Sequence, residues 1–270
     1  MRVTKRTPAV AGMFYSENPV ELRHNLSELI VFAKKKIDAK GIVVPHAGYM
    51  YSGWVAGKVY GAINPPDVAI ILGPNHTGLG DRASIFAGES FITPLGEVKI
   101  EISLVEILVN QVEFLSTDPT AHIHEHSIEV QVPFLQYINP DIKIVPICLG
   151  RLSFKEILTL GDALYLTTSQ YPGKVLLVAS TDFSHYVPHE VAKQKDSLAI
   201  EAILKLSEEE LIKVVIEEGI SMCGVIPTAV VIRACKGLGA SKAILIDYMT
   251  SGDVIKDYHS VVGYGGIVIY

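Results

Sequence analysis

Cysteine is scarce in this chain: Cys148, Cys223 and Cys235 are the only three in 270 residues, and none forms a CxxC pair. Thiols so few and so spaced cannot build a disulfide framework or an all-cysteine zinc module. Long apolar runs are missing as well. No segment reaches the ~18 residues of a membrane-spanning helix. The opening stretch MRVTKRTPAVAGMFY is basic but lacks the sustained apolar core of a secretory signal. These absences together lead us to expect a cytoplasmic protein with no membrane partner. Charge is also sparse, at 19% of residues with a net charge of −6. That excludes a general nucleic-acid binder, because phosphate contacts need clustered Lys and Arg. The one basic cluster, KKKIDAK at Lys34 to Lys40, reads as the solvated end of a helix.

Apolar residues are abundant instead, at 49%, enough for a sizeable core. We find no repeat, low-complexity segment or linker, so residues 1–270 read as a single domain. Strand-like runs such as GIVV, VAIIL, KIVPIC and VLLVA alternate with helical patterns. That alternation predicts an α/β fold with a central, mostly parallel sheet flanked by helices. Helices are expected near 19–36, 53–63, 103–115, 129–138, 153–169, 188–206, 207–217 and 225–235.

Four segments, each read as ending a probable strand, deliver side chains that carry chemistry. PHAGYMYSG delivers His46, GPNHTG delivers His76, STDFSHY delivers Asp182 and His185, and SMCGVIP delivers Cys223. Parallel strands share their carboxyl edge, which is where open α/β sheets bind ligands. The expected result is a metal site of His46, His76 and Cys223. Neutral imidazole suits zinc, iron, copper and nickel alike, so histidine alone does not choose the metal. Asp182 and His185 stand three apart, the spacing at which a carboxylate on a helical turn can orient an imidazole as a general base. Cys223 precedes Gly224 and a helix, so its thiol is expected to shift toward thiolate. Cys148 and Cys235 read as buried apolar residues. In AHIHEHSIEV, His122, His124 and His126 would share one face if extended. Glu125, His126 and Glu129 are expected to line the cleft, with His126 behind the metal ligands. Tyr49 and Tyr51, with Phe14, Tyr15 and Trp54, offer aromatic walls for a planar ligand.

These motifs together resemble the Memo family, whose microbial members are called AmmeMemoRadiSam system protein B. The resemblance covers the whole chain through AGMFY, PHAGYMYSG, GPNHTG, EHSIEVQVPFLQ, STDFSHY and MCGVIP. It implies a fold like that of the class III extradiol dioxygenases, nonheme iron(II) enzymes that open catechol rings. Carried over by position, His46 and His76 correspond to metal ligands and His185 to the acid/base group. Cys223 falls where the dioxygenases supply a glutamate. The resemblance therefore implies iron(II) first, with copper or zinc as alternatives, and a redox role of dioxygenase type. It equally implies a non-catalytic protein that uses the cleft for a peptide, for metal handling or for a partner. AMMECR1-like and radical SAM proteins are the partners that the family name suggests. A zinc hydrolase is a weaker third option. The mean hydropathy of +0.34 adds a homodimer as an expectation.

Overall fold

The computed structural model describes residues 4–270. Eleven strands follow one another along these residues. They are β1 (Lys5–Arg6), β2 (Gly41–Val44), β3 (Val68–Pro74), β4 (Ala83–Ile85), β5 (Ser90–Thr93), β6 (Gly96–Lys99), β7 (Lys143–Leu149), β8 (Val175–Ser180), β9 (His185–Val187), β10 (Ala243–Thr250) and β11 (Val261–Ile269). The first five helices are α1 (Pro19–Leu29), α2 (Tyr49–Ala62), α3 (Ile102–Gln111), the single turn α4 (Thr120–Ile123) and α5 (Val132–Ile138). They are followed by α6 (Phe154–Ser169), α7 (His189–Leu204), α8 (Glu208–Glu217), α9 (Val225–Gly237) and α10 (Ser251–Ile255). None of these helices is long and apolar enough to cross a membrane.

The main sheet runs β10-β11-β2-β8-β3-β7-β4, with β9 paired to β11, while β1, β5 and β6 form a small second sheet. Its centre, β2-β8-β3-β7, is parallel, and antiparallel pairings with β11 and β4 flank it. The central strands are almost wholly buried, as continuous Val/Ile/Leu runs covered on both faces must be. In β11 the pleat divides the two faces. The position of Gly265 packs against Phe183, whereas Gly266 meets Val55 and Val59 of α2. A side chain at either position would force those layers apart. The α/β expectation holds, with the parallel part of the main sheet confined to its four middle strands.

Several boundaries differ from the sequence expectation for physical reasons. The first helix stops at Leu29 rather than continuing to Lys36, because the next residues cross α2 at its glycines. A Cβ on Gly57 would lie 2.2 Å from the Leu29 carbonyl oxygen, and one on Gly61 would lie 2.1 Å from that of Val31. The basic cluster is therefore a partly exposed, irregular segment beyond the helix, not its end. The stretch from 129 to 138 divides into a 3₁₀ turn at Glu129–Gln131 and α5. The short helices α4 and α10 were not foreseen.

Candidate metal centre

Strands β2, β8 and β3 are adjacent, and just beyond their carboxyl ends stand His46, Asp182 and His76. Cys223, expected at the end of a strand, instead reaches the same point from the loop between α8 and α9. Its approach depends on Gly224, whose amide donates to Thr181 Oγ1 at 2.9 Å. A Cβ on Gly224 would lie 2.5 Å from the Ser180 carbonyl oxygen. The metal-ligand atoms of His46, His76 and Cys223 all lie within 4.8 Å of one another, and Cys223 Sγ is 3.2 Å from His46 Nε2. Donors around one tetrahedral ion at ~2.0–2.3 Å stand about 3.4–3.7 Å apart, so small side-chain adjustments suffice. Three residues spread over 177 positions thus meet, two of them from neighbouring strand ends and one from a helix-to-helix loop.

The hydrogen bonds behind the rings fix their tautomers. Ser180 Oγ donates to the Ser127 carbonyl at 2.6 Å and accepts from Gln131 Nε2 at 2.8 Å. Its contact with His46 Nδ1, at 3.0 Å, must therefore be one in which the ring donates. That leaves the His46 Nε2 lone pair directed toward Cys223. Burial, and then the neighbouring His76, hold His46 well below the usual imidazole range, in the neutral form that ligates metals. His76 Nδ1 contacts Glu125 Oε1 at 2.9 Å, and a carboxylate only accepts, so His76 also presents Nε2. Such a carboxylate–histidine pair is the usual support of a metal-bound imidazole. Glu125 takes two further donors, the amides of His76 at 2.7 Å and Ser127 at 2.8 Å. Burial alone would raise its carboxyl. The His76 hydrogen bond and charge, with the Ser127 amide, outweigh that and hold it down at about 2.

Other expected roles change. Asp182 does not orient His185, and residues 181–184 form no helical turn. Its Oδ1 accepts the His46 amide at 2.8 Å, and Oδ2 lies 4.0 Å from His46 Nε2. Burial pushes its carboxyl up to about 6, the His46 amide opposing. His185 is held by Ser221 instead, whose carbonyl accepts from Nδ1 at 2.8 Å while its hydroxyl accepts the His185 amide at 2.7 Å. That bond leaves Nε2 of His185 as the basic nitrogen. The Cys223 thiol is not shifted toward thiolate. Burial, reinforced by the Asp182 charge, pushes it up to about 12 in the metal-free protein.

The three histidines of the 120s separate, because α4 breaks the extended run. His126 joins the cleft, its ring stacked on His76 at 4.7 Å and covered by Phe14 at 4.8 Å. His122 is buried away from it, its Nε2 3.3 Å from Ser84 Oγ, and burial holds it down at about 3. His124 is exposed. Glu129 does not line the cleft. It is buried and paired with Arg6, and it accepts the Ala9 and Val10 amides and the Tyr15 hydroxyl. Arg6 also donates to the carbonyls of His122 and Glu125, so the N-terminal arm clamps the segment that carries Glu125 and His126. Tyr49 is packing too, its hydroxyl donating to the Val130 carbonyl at 2.7 Å. Tyr51 is half-buried, and Trp54 is exposed beneath Lys58. Cys148 and Cys235 are buried, as expected. Ser127, Gln131, Ser180 and Ser221 were missed. Small polar residues at a strand end or beside a histidine motif are a weak signal in sequence.

An α/β sheet with a histidine–histidine–cysteine cluster at its carboxyl edge defines an α/β protein with a candidate metal centre. A family model described as "Memo-like protein" matches residues 6–268, and the chain belongs to that family. A MEMO1 family protein of Aquifex aeolicus is 43% identical, with 99% of each chain covered. One from Methanopyrus kandleri is 41% identical over 98% of each. The crystal structure of an uncharacterized protein from Escherichia coli K12 superposes with a TM-score of 0.55 at 12% identity, covering 83% of this chain and 98% of that one. That likeness concerns the fold alone.

Proposed function

We propose that this chain is a metal-dependent redox protein, with the ion held by His46 Nε2, His76 Nε2 and Cys223 Sγ, and iron(II) as the expected metal. The observation that carries the reading is the pair of imidazoles whose Nδ1 atoms are spent on internal acceptors, so that both Nε2 lone pairs face one thiol. A redox-active ion there would supply electron exchange with dioxygen or an oxidisable, catechol-like ligand. The chain's own groups supply the rest. His185 Nε2, left with a free lone pair by the Nδ1 bond to Ser221, takes a proton from a ligand hydroxyl and returns it later. Phe14 and His126 form an aromatic wall against which a planar ligand can lie. Asp182 holds the His46 backbone and places a buried carboxyl beside the centre.

The thiol in the donor set favours a second reading, in which the cleft binds copper or zinc for transfer to a partner rather than for turnover. Thiolate is softer than carboxylate and prefers these ions. It is also oxidisable, which suits repeated oxygen chemistry poorly. The AMMECR1-like and radical SAM proteins are the partners to test for that role. Metal content by mass spectrometry, on protein purified without chelators or oxygen, separates the readings. Stoichiometric iron in the wild type and its loss in Cys223→Ser supports the first, and copper or zinc in that position supports the second. Equal metal in both proteins would remove Cys223 from the donor set.

A further inference from the structure

Asp196, in α7, is fully buried yet forms no part of the cluster described above. Three neutral donors surround it. Ser184 contributes its amide at 3.0 Å and its hydroxyl at 2.5 Å, both to Oδ1, and the Tyr248 hydroxyl donates to Oδ2 at 2.7 Å. A buried carboxylate met only by neutral donors is costly to keep, but it accepts on both oxygens, as the Ser184 and Tyr248 donors require. Burial accordingly raises its carboxyl above the ordinary aspartate range.

The position explains the cost. Ser184 immediately precedes His185. The Ser184 carbonyl accepts the Gly263 amide at 2.9 Å, and the Phe183 amide donates to the Gly263 carbonyl at 2.9 Å. The turn carrying His185 is thus fastened on one side to β11 and α7. On the other it meets Ser221, two residues before Cys223 in the same loop. The fit at Gly263 is close. A Cβ there would lie 1.9 Å from Asp196 Oδ2, so that position must be glycine for the carboxylate to reach Ser184. Tyr186, directly after His185, has a φ of 58°. A non-glycine residue held in that region needs surroundings that over-determine it.

We infer that Asp196 is the positioning residue for His185: its carboxylate clamps Ser184 so that the His185 ring stays on the Ser221 carbonyl with Nε2 free. The inference rests on the reading of His185 as the acid/base group, and it concerns the ring's position rather than metal binding. It is tested by ¹⁵N NMR of histidine-labelled protein, which reports the tautomer of each ring, alongside anaerobic iron(II) uptake. The wild type should show His185 in a single Nδ1–H form. Asp196→Ala should convert that signal to a mixture of tautomers while the His46 and His76 signals and iron(II) uptake persist. Asp196→Asn keeps an oxygen for Ser184 and should restore the single form. Gly263→Ala, which displaces the carboxylate without removing it, should resemble Asp196→Ala. If Asp196→Ala does not fold, Ser184→Ala and Tyr248→Phe give graded versions, with the larger change expected for Ser184→Ala. An unchanged His185 signal in a folded Asp196→Ala or Ser184→Ala protein overturns the inference, as does an equal change at every histidine. Absent iron(II) uptake in the wild type would sink the metal reading and leave the His185 result legible.

Discussion

Glu125 and Asp182 are both buried carboxylates beside the same three metal-ligand candidates, and they are driven in opposite directions. Each loses water, and that loss raises both. Glu125 recovers through the His76 ring and two amides, and ends at about 2. Asp182 receives backbone amides and no ring hydrogen bond, and ends at about 6. Both are buried, and they differ in that Glu125 takes a ring hydrogen bond besides its amides while Asp182 takes backbone amides only. The Glu125 side is a fixed charge that accepts the His76 Nδ1 proton. The Asp182 side can gain or lose a proton near neutrality, and a site with two carboxyls pushed apart in this way can divide roles between them.

The comparison can be broken most severely through Glu129, the third buried acid of this region. Glu129→Ala would strand the buried Arg6 guanidinium and release the arm, costing about 3–5 kcal/mol in urea denaturation. A smaller loss would show that the arm contributes less than its bonds suggest. Glu125→Gln comes next. Without the carboxylate, His76 should ligate more weakly, with metal affinity falling about 10–100-fold in a competition titration. Unchanged affinity would mean that Glu125 is structural only.

The finest test is the pH dependence of the metal-free protein. The Glu125 carboxyl is lowered from 4.5 to about 2, so its stabilisation is complete above pH 4.5 and is lost as pH falls toward 2. The Asp182 carboxyl is raised from 3.8 to about 6, so its contribution is present below pH 3.8 and is lost as pH rises through 6. Asp182→Asn should therefore flatten the decline between pH 4 and 7 by about 1–3 kcal/mol. Glu125→Gln should leave that decline and remove part of the acid-side loss. Denaturation midpoints across this range decide, and identical profiles for the two variants would erase the distinction.

The sheet and the convergence were readable from sequence, because apolar runs ending in Pro–His, Asn–His or Thr–Asp announce strand ends. His46 and His76 follow from that logic, whereas Cys223 comes from the loop between α8 and α9 and follows no strand. The supporting bonds were not readable. Asp182 and His185 are close in sequence, yet Asp182 binds the amide of a residue 136 positions away and His185 a loop 36 positions ahead. Glu125 and Glu129 look equivalent on paper. Only the path of Arg6, more than 110 residues earlier, separates the acid that serves a histidine from the one that serves the arm. The end of α1 was missed for a similar reason, since it is set by glycines in α2.

The arm has one more consequence, for biosynthesis. Arg6 grips the backbone around Glu125, His76 waits on Glu125, and the sulfur arrives only with Cys223. A chain still emerging from the ribosome therefore holds its imidazoles without their thiol until more than four fifths of it has been made. Contacts of such long range form late in folding. A truncated product that stops before Cys223 would carry His46 and His76 but lack the third member of their cluster.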